Sequence, residues 1–210
     1  FLRVIDAAKD HAAGHELEHL DLGGGLGVPY RHQNEAPPSP ELYAAVVKET
    51  LGDLGLKIIL EPGRMIVGNA GVLVTRVVFV KEGVDRTFTI VDGAMNDLIR
   101  PTLYEAHHDI LPVNEELLST PPMQQDIVGP VCETGDYLAL DRNLPPFRQD
   151  DLMAVMTAGA YGAVMASTYN TRRLIPEVLV HGEKFAVVRP RQDYQDLIGL
   201  DRMPPWLESV

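Results

Sequence analysis

The sequence predicts α/β plus β: the terminal part of a (β/α)8 barrel over residues 1–68, then a mostly antiparallel β domain over residues 69–210. Three observations carry that expectation. Up to Glu61 the chain alternates helix, strand, glycine loop, helix and strand, which is the order of parallel α/β units. From Val72 onward, β-branched runs broken by Gly and Pro replace that order. A closed α/β barrel requires roughly 250 residues and about eight strand–helix units, whereas about two precede the β half of these 210 residues. The chain opens on Phe1-Leu2-Arg3, without an initiator Met and already in a helical pattern, so the beginning of the barrel is expected to be absent.

Each element has its own signal. Leu2, Ile5, Ala8 and Ala12 recur at helical spacing over residues 1–13, and Gly14 is a natural stop. His19-Leu20-Asp21-Leu22 reads as a short strand running into Gly23-Gly24-Gly25-Leu26-Gly27, followed by a proline-rich loop. Ser39 is placed as an N-cap with Pro40 at the first helical position; Tyr43, Val47, Leu51 and Leu54 share a face, and Gly55 ends the helix. Lys57-Ile58-Ile59-Leu60-Glu61 reads as a buried strand. Val72 to Val80 and Arg86 to Asp92 read as strands, with a helix near Asn96 to Tyr104. Val178-Leu179-Val180 and Phe185 to Val188 flank His181-Gly182-Glu183 as a hairpin.

Composition narrows the function classes. Apolar residues make up 45% of the chain, enough for a real core. With 18 basic residues against 30 acidic ones, the net charge of −12 repels nucleic acid and anionic membranes alike. No apolar run approaches the roughly 18–20 residues that cross a bilayer, and the amino terminus has no signal-peptide pattern. The single cysteine, Cys132, excludes an intramolecular disulfide and fits a reducing cytoplasm.

Several motifs carry chemistry. His15-Glu16-Leu17-Glu18-His19 fits the H-E-x-x-H pattern of zinc peptidases, but that pattern needs a helix through both imidazoles. Gly14 precedes it and His19 enters a strand, so a surface loop without metal is expected. The glycine run at 23–27 serves either as a tight turn or as a phosphate cradle. It does not match G-x-G-x-x-G, because position 30 is Tyr30, and it lacks the P-loop Lys-Ser/Thr. Glu61-Pro62-Gly63-Arg64 sets an acid and a guanidinium at the end of the next strand, either as an ion pair capping it or as part of a site. Loops on consecutive barrel units open on one mouth, which strengthens the second reading. Arg100 and Tyr104, four residues apart, share a helical face and can grip one carboxylate.

Taken in order, these segments resemble one family. Gly23-Gly24-Gly25, Glu61-Pro62-Gly63-Arg64, Asp92-Gly93-Ala94-Met95-Asn96-Asp97, Arg100-Pro101 with Tyr104, Gly129-Pro130-Val131-Cys132-Glu133-Thr134-Gly135-Asp136 and Gly159-Ala160-Tyr161 resemble the carboxyl-terminal half of the diaminopimelate decarboxylases. These are pyridoxal-phosphate enzymes of the alanine-racemase-like fold, and the likeness runs from about residue 15 to residue 200. It implies that pyridoxal 5'-phosphate is held by Gly24, Gly25, Gly63, Arg64 and the Tyr161 hydroxyl, with Glu61 on the ring nitrogen. It implies that Arg64, Arg100 and Tyr104 clamp the substrate carboxylate that is retained, with Tyr161 alongside. Glu133 would hold the distal ammonium and Cys132 would return the proton after carbon dioxide departs, both within the neighbouring subunit's site. A cytoplasmic homodimer with shared active sites and an amino-acid substrate follows, converting meso-diaminopimelate to L-lysine.

The family's cofactor-bearing lysine belongs to the first barrel strand, and none of Lys9, Lys48, Lys57, Lys81 and Lys184 lies in a matching motif. Two alternatives are a decarboxylase of the same fold acting on another basic amino acid or a carboxylated polyamine, and an inactive dimerisation or structural fragment. The lysine inventory predicts that these 210 residues mixed with pyridoxal phosphate develop no visible absorbance that sodium borohydride abolishes. A borohydride-sensitive band would reject that expectation.

Overall fold

The computed structural model describes residues 2–11, 17–31 and 36–207. Ala12, Gly14 and the His15-Glu16 end of the H-E-x-x-H motif lie outside them, as do the side chains of Leu2 and Ala8. The amino-terminal unit is a βαβ. Helix α1 (Leu2–His11) precedes strand β1 (His19–Asp21), which pairs in parallel with β2 (Lys57–Ile59), Leu20 lying opposite Ile58. Parallel strands need a crossover, and α2 (Pro40–Leu51) supplies it. Its Ser39 hydroxyl accepts the Leu42 amide at 3.2 Å, and a final 3-10 turn ends on Gly55 at φ 69°. Ile5, Val47 and Leu51 are buried against Leu20, Tyr43, Leu54 and Ile58, which makes this unit's own small core.

The expectation of a buried strand at 57–61 is corrected. Only Ile58 is half-buried, while Ile59 and Leu60 are 43% and 42% exposed. Among the described residues β2 has one ladder neighbour, β1, so its far edge and much of its surface stay open. The chain then passes through the short helix α3 (Gly63–Val67) into the larger sheet.

Six strands form that sheet in the order β5-β8-β3-β4-β6-β7. They are β3 (Leu73–Glu82), β4 (Thr87–Val91), β5 (Ile110–Pro112), β6 (Met123–Val128), β7 (Tyr137–Leu144) and β8 (Leu152–Val155). Every pairing is antiparallel except β4 with β6. Strand β3 alternates buried Leu73, Thr75 and Val77 with exposed Val74 and Arg76, the period of two of a sheet with one covered face. Its first half pairs with β8 and its second half with β4, across an irregularity between Val77 and Phe79. The two edge strands are brought together by Arg142 of β7, which donates to the His108 carbonyl just before β5 at 2.9 Å. The sheet is therefore nearly closed, like a barrel, around Val77, Val91, Leu98, Ile127, Leu138, Met153 and Val155. The expected hairpin is present as β9 (Glu177–His181) and β10 (Lys184–Arg189), turning at Gly182 with φ 58°.

The helix expected at 96–104 is shorter than its sequence pattern. Residues 94–98 form a turn in which the Asp97 carboxylate accepts the Ala94 amide at 2.9 Å, and α4 spans only Arg100–Tyr104. A local side-chain acceptor competes with helical hydrogen bonding, which explains the late start. Glu105 ends α4 in the left-handed region.

The parallel unit and the sheet meet where two stretches of backbone touch. The Ala158 amide donates to Gly71 O at 2.8 Å and the Gly159 amide to Gly68 O at 3.1 Å. A Cβ on Gly159 would collide with the Val67 carbonyl and lie 2.8 Å from the Gly71 nitrogen. Gly159→Ala is therefore expected to destabilise the fold by about 2–3 kcal/mol, read as a lowered urea midpoint. An unchanged midpoint would show that this joint yields without cost.

Candidate active site

The glycine loop after β1 and the Glu61-Pro62-Gly63-Arg64 loop after β2 lie side by side because their strands are neighbours. The Leu22 amide donates to Ile59 O at 3.0 Å and the Glu61 amide to Gly23 O at 2.9 Å. A Cβ on Gly24 would stand 2.5 Å from the Glu61 carbonyl oxygen, so only glycine permits this approach. Gly23 and Gly25 take positive φ, at 67° and 101°, with open space where a side chain would be. Among the described residues, the amides of Gly24 and Gly25 donate to no acceptor. Unpaired amides on a glycine bend are the equipment of an anion cradle.

Arg64 does not cap its strand by pairing with Glu61. Its guanidinium carbon lies 5.5 Å from the Tyr161 ring centroid and 5.8 Å from that of Tyr30. Arg100 joins the same cluster from α4, 5.2 Å from Tyr30, 5.8 Å from Tyr161 and 5.9 Å from Tyr104. Arg100 is buried, whereas Tyr104 is exposed, so the expected shared face holds with the cation on its inner side. Tyr161 reaches the cluster from a left-handed turn at φ 59°, and its hydroxyl lies 3.9 Å from the place a Cβ on Gly63 would occupy.

Two guanidiniums thus converge on shared tyrosine rings, and among the described residues neither has a carboxylate within ion-pair distance. Ring faces attract cations, but they do not use the N–H donors of the guanidinium fork. The Tyr30 hydroxyl is buried and, among the described residues, also without a partner. These unspent donors fit an anionic ligand such as a carboxylate or a phosphate.

Tyr30 and His108 were not singled out from sequence, although both belong to the cluster. Their rings meet edge-on with centroids 5.1 Å apart. His108 is fully buried, accepts from Arg100 Nε at 3.4 Å, and faces the Met156 carbonyl through Nδ1 at 2.8 Å. Burial lowers its pKa most, and the nearby Arg100 cation adds to that, against the opposing Met156 hydrogen bond. The available signals were an aromatic directly after the glycine–proline loop and a histidine pair between a helix and a strand, neither of which is a motif.

Among the described residues, Cys132 and Glu133 make no hydrogen bond, ion pair or ring contact with this cluster. They lie in the exposed turn between β6 and β7, where the Glu133 carboxylate accepts from the Tyr169 hydroxyl at 3.4 Å. The buried Asp136 shapes that turn by accepting the Val131 amide at 2.6 Å and the Met95 amide at 2.7 Å. Thr102 donates to Gly135 O, so the Cys132 turn is tied to the segment that carries Arg100. Glu61 is exposed beside the glycine loop, placed there by its backbone.

Residues 4–159 match the family described as pyridoxal-dependent decarboxylase, C-terminal sheet domain. The chain is 49% identical over 195 residues to the diaminopimelate decarboxylase of Zymomonas mobilis, covering 93% of this chain and 46% of that protein. A solved structure from Aquifex aeolicus superposes with a TM-score of 0.87 at 42% identity, over 96% of this chain and 49% of the other. Diaminopimelate decarboxylase of Helicobacter pylori complexed with L-lysine gives 0.84 at 38% identity, over 99% and 50%. The chain spans about half the length of the relatives it matches. No described helix is long and apolar enough to cross a membrane.

The lowered pKa of His108 has a consequence for stability. As pH falls below the ordinary histidine value of 6.5, the unfolded chain takes up a proton that the buried ring refuses, so stability declines. His107, also lowered chiefly by burial, acts in the same direction. The urea midpoint should fall as pH drops through 6.5, and less steeply in His108→Gln. Equal slopes for the two proteins would show that this ring does not contribute.

Proposed function

The chain belongs to the pyridoxal-dependent decarboxylases, and from that premise we propose that it supplies the carboxyl-terminal half of an active site that decarboxylates meso-2,6-diaminopimelate to L-lysine. One observation carries the reading: Arg64 and Arg100, without carboxylate partners among the described residues, share the rings of Tyr30 and Tyr161 beside two glycine-bearing loops. In this reading residues 1–68 are the last strand–helix units of a (β/α)8 barrel, and residues 69–210 are its β domain. The protein is a cytoplasmic homodimer.

The residues present fit pyridoxal 5'-phosphate. The open amides of Gly24 and Gly25, with Gly63, Arg64 and the Tyr161 hydroxyl, would hold its phosphate, and the close pass of Gly24 over the Glu61 carbonyl keeps that cradle free of side chains. Glu61 would keep a proton on the ring nitrogen. When bound, the group supplies an electron sink for the negative charge left as carbon dioxide departs.

This chain's side chains do the rest. Arg100, with Arg64 and Tyr104, would hold the carboxylate that is retained, directing the other one to the reacting position. Burying a carboxylate against two cations is favourable only with matched hydrogen bonds, and that condition makes the clamp selective. Glu133 would bind the distal ammonium, and the Cys132 thiol would deliver a proton to the carbon that lost its carboxylate.

The test is Arg100→Ala in the holoenzyme that contains this chain. KM for diaminopimelate is expected to rise roughly 100-fold or more, consistent with the loss of a buried charge-assisted contact. L-lysine, which keeps the clamped carboxylate, should lose affinity in parallel, while cadaverine, which lacks it, should not. Unchanged turnover of diaminopimelate would overturn the reading.

A further inference from the structure

Arginine only donates hydrogen bonds. The contact from Arg100 Nε to His108 Nε2 therefore requires a lone pair on Nε2, which places the ring's proton on Nδ1, where it donates to the Met156 carbonyl. The tautomer is thus dictated from both sides, by α4 and by the end of β8. With Nε–H engaged, the Arg100 guanidinium keeps its two terminal nitrogens for a ligand, and among the described residues neither donates to a protein acceptor. An arginine can meet a carboxylate through its Nε–Nη edge or end-on through both Nη atoms, and the His108 contact removes the first option.

We propose that His108 is a positioning residue for substrate specificity, fixing Arg100 so that its terminal nitrogens alone receive the retained carboxylate. The inference rests on the clamp role given to Arg100 above.

The charged and polar groups around the ring agree with a neutral state. Arg100 faces it from α4, the Tyr30 ring from the loop after β1, and the Met156 carbonyl from just beyond β8. Arg142 of β7 donates to the His108 backbone, and His107 precedes it in the chain. Asp109, the nearest carboxylate in sequence, is engaged with His107 at 2.8 Å and Arg142 at 3.5 Å. A second proton on His108 would turn the acceptor into a donor pointed at a cation and release Arg100.

Two substitutions separate positioning from mere packing. His108→Gln retains an acceptor at the reach of Nε2, whereas His108→Asn retains a donor near Nδ1 and removes the acceptor. In the holoenzyme, His108→Asn is expected to raise KM for diaminopimelate and Kd for L-lysine about tenfold, the scale of one charge-assisted hydrogen bond. Its kcat should move little, and its affinity for cadaverine should not change. His108→Gln should stay within a few-fold of the parent in all of these. Equal losses in both variants, or equal losses for L-lysine and cadaverine, would reduce His108 to a packing residue and overturn the proposal. If Arg100→Ala weakens L-lysine and His108→Asn does not, the positioning role alone fails. If Arg100→Ala leaves L-lysine binding intact, the clamp itself fails. Should neither histidine variant fold, L-lysine affinity of the parent enzyme against pH decides: it should hold through 6.5, where burial keeps the ring neutral, and weaken only at more acid pH; a fall centred on 6.5, or none down to the pH at which the enzyme unfolds, overturns the proposal.

Discussion

The contact between Gly159 and the Val67–Gly71 backbone is the constraint on which the site depends. Arg64 comes from the parallel unit, and Tyr161 comes from the loop after β8. They meet because Gly68 and Gly71 accept amides from Gly159 and Ala158 with no Cβ between the chains. A methyl group at that crossing would push Tyr161 away from Arg64 and open the ring-lined wall. The contact is polar and backbone-to-backbone, so its geometry is set more sharply than side-chain packing would set it.

Around that joint, electrostatics is arranged by what is left out. Two guanidiniums close to the same two rings repel each other, and no protein carboxylate among the described residues neutralises them. The rings and the uncharged His108 hold the cations without consuming their terminal donors. A carboxylate built into the protein would have quenched the site. The arrangement therefore keeps its attraction for an incoming anion, and the buried Tyr30 hydroxyl adds a further donor to the same place.

What could be read from sequence was local or was carried by family likeness. The Ser39 cap, the Gly182 turn and the β-branched strand at Val72 to Val80 follow from residues a few positions apart, and each appears where expected. Burial of β2 was misread because its apolar run looks the same whether or not a further strand covers it. The short α4 was overextended because Asp97 binds a neighbouring amide, which helical periodicity does not register. Tyr30 and His108 escaped notice for another reason: their roles exist only after distant segments fold together, and neither segment has a motif of its own.

The pairing of β4 with β6 gives the fold a further property. Parallel neighbours cannot be joined by a tight turn, so the chain leaves β4, lays β5 on the far edge of the sheet and returns to β6 through residues 92–122. Arg100, Tyr104 and His108 all lie within that detour. The ladder hydrogen bonds of β3, β4, β6 and β7 place few demands on its sequence. Mutation can thus retune ligand choice in the detour while the strands go on folding as before, which separates the evolution of selectivity from the upkeep of the scaffold.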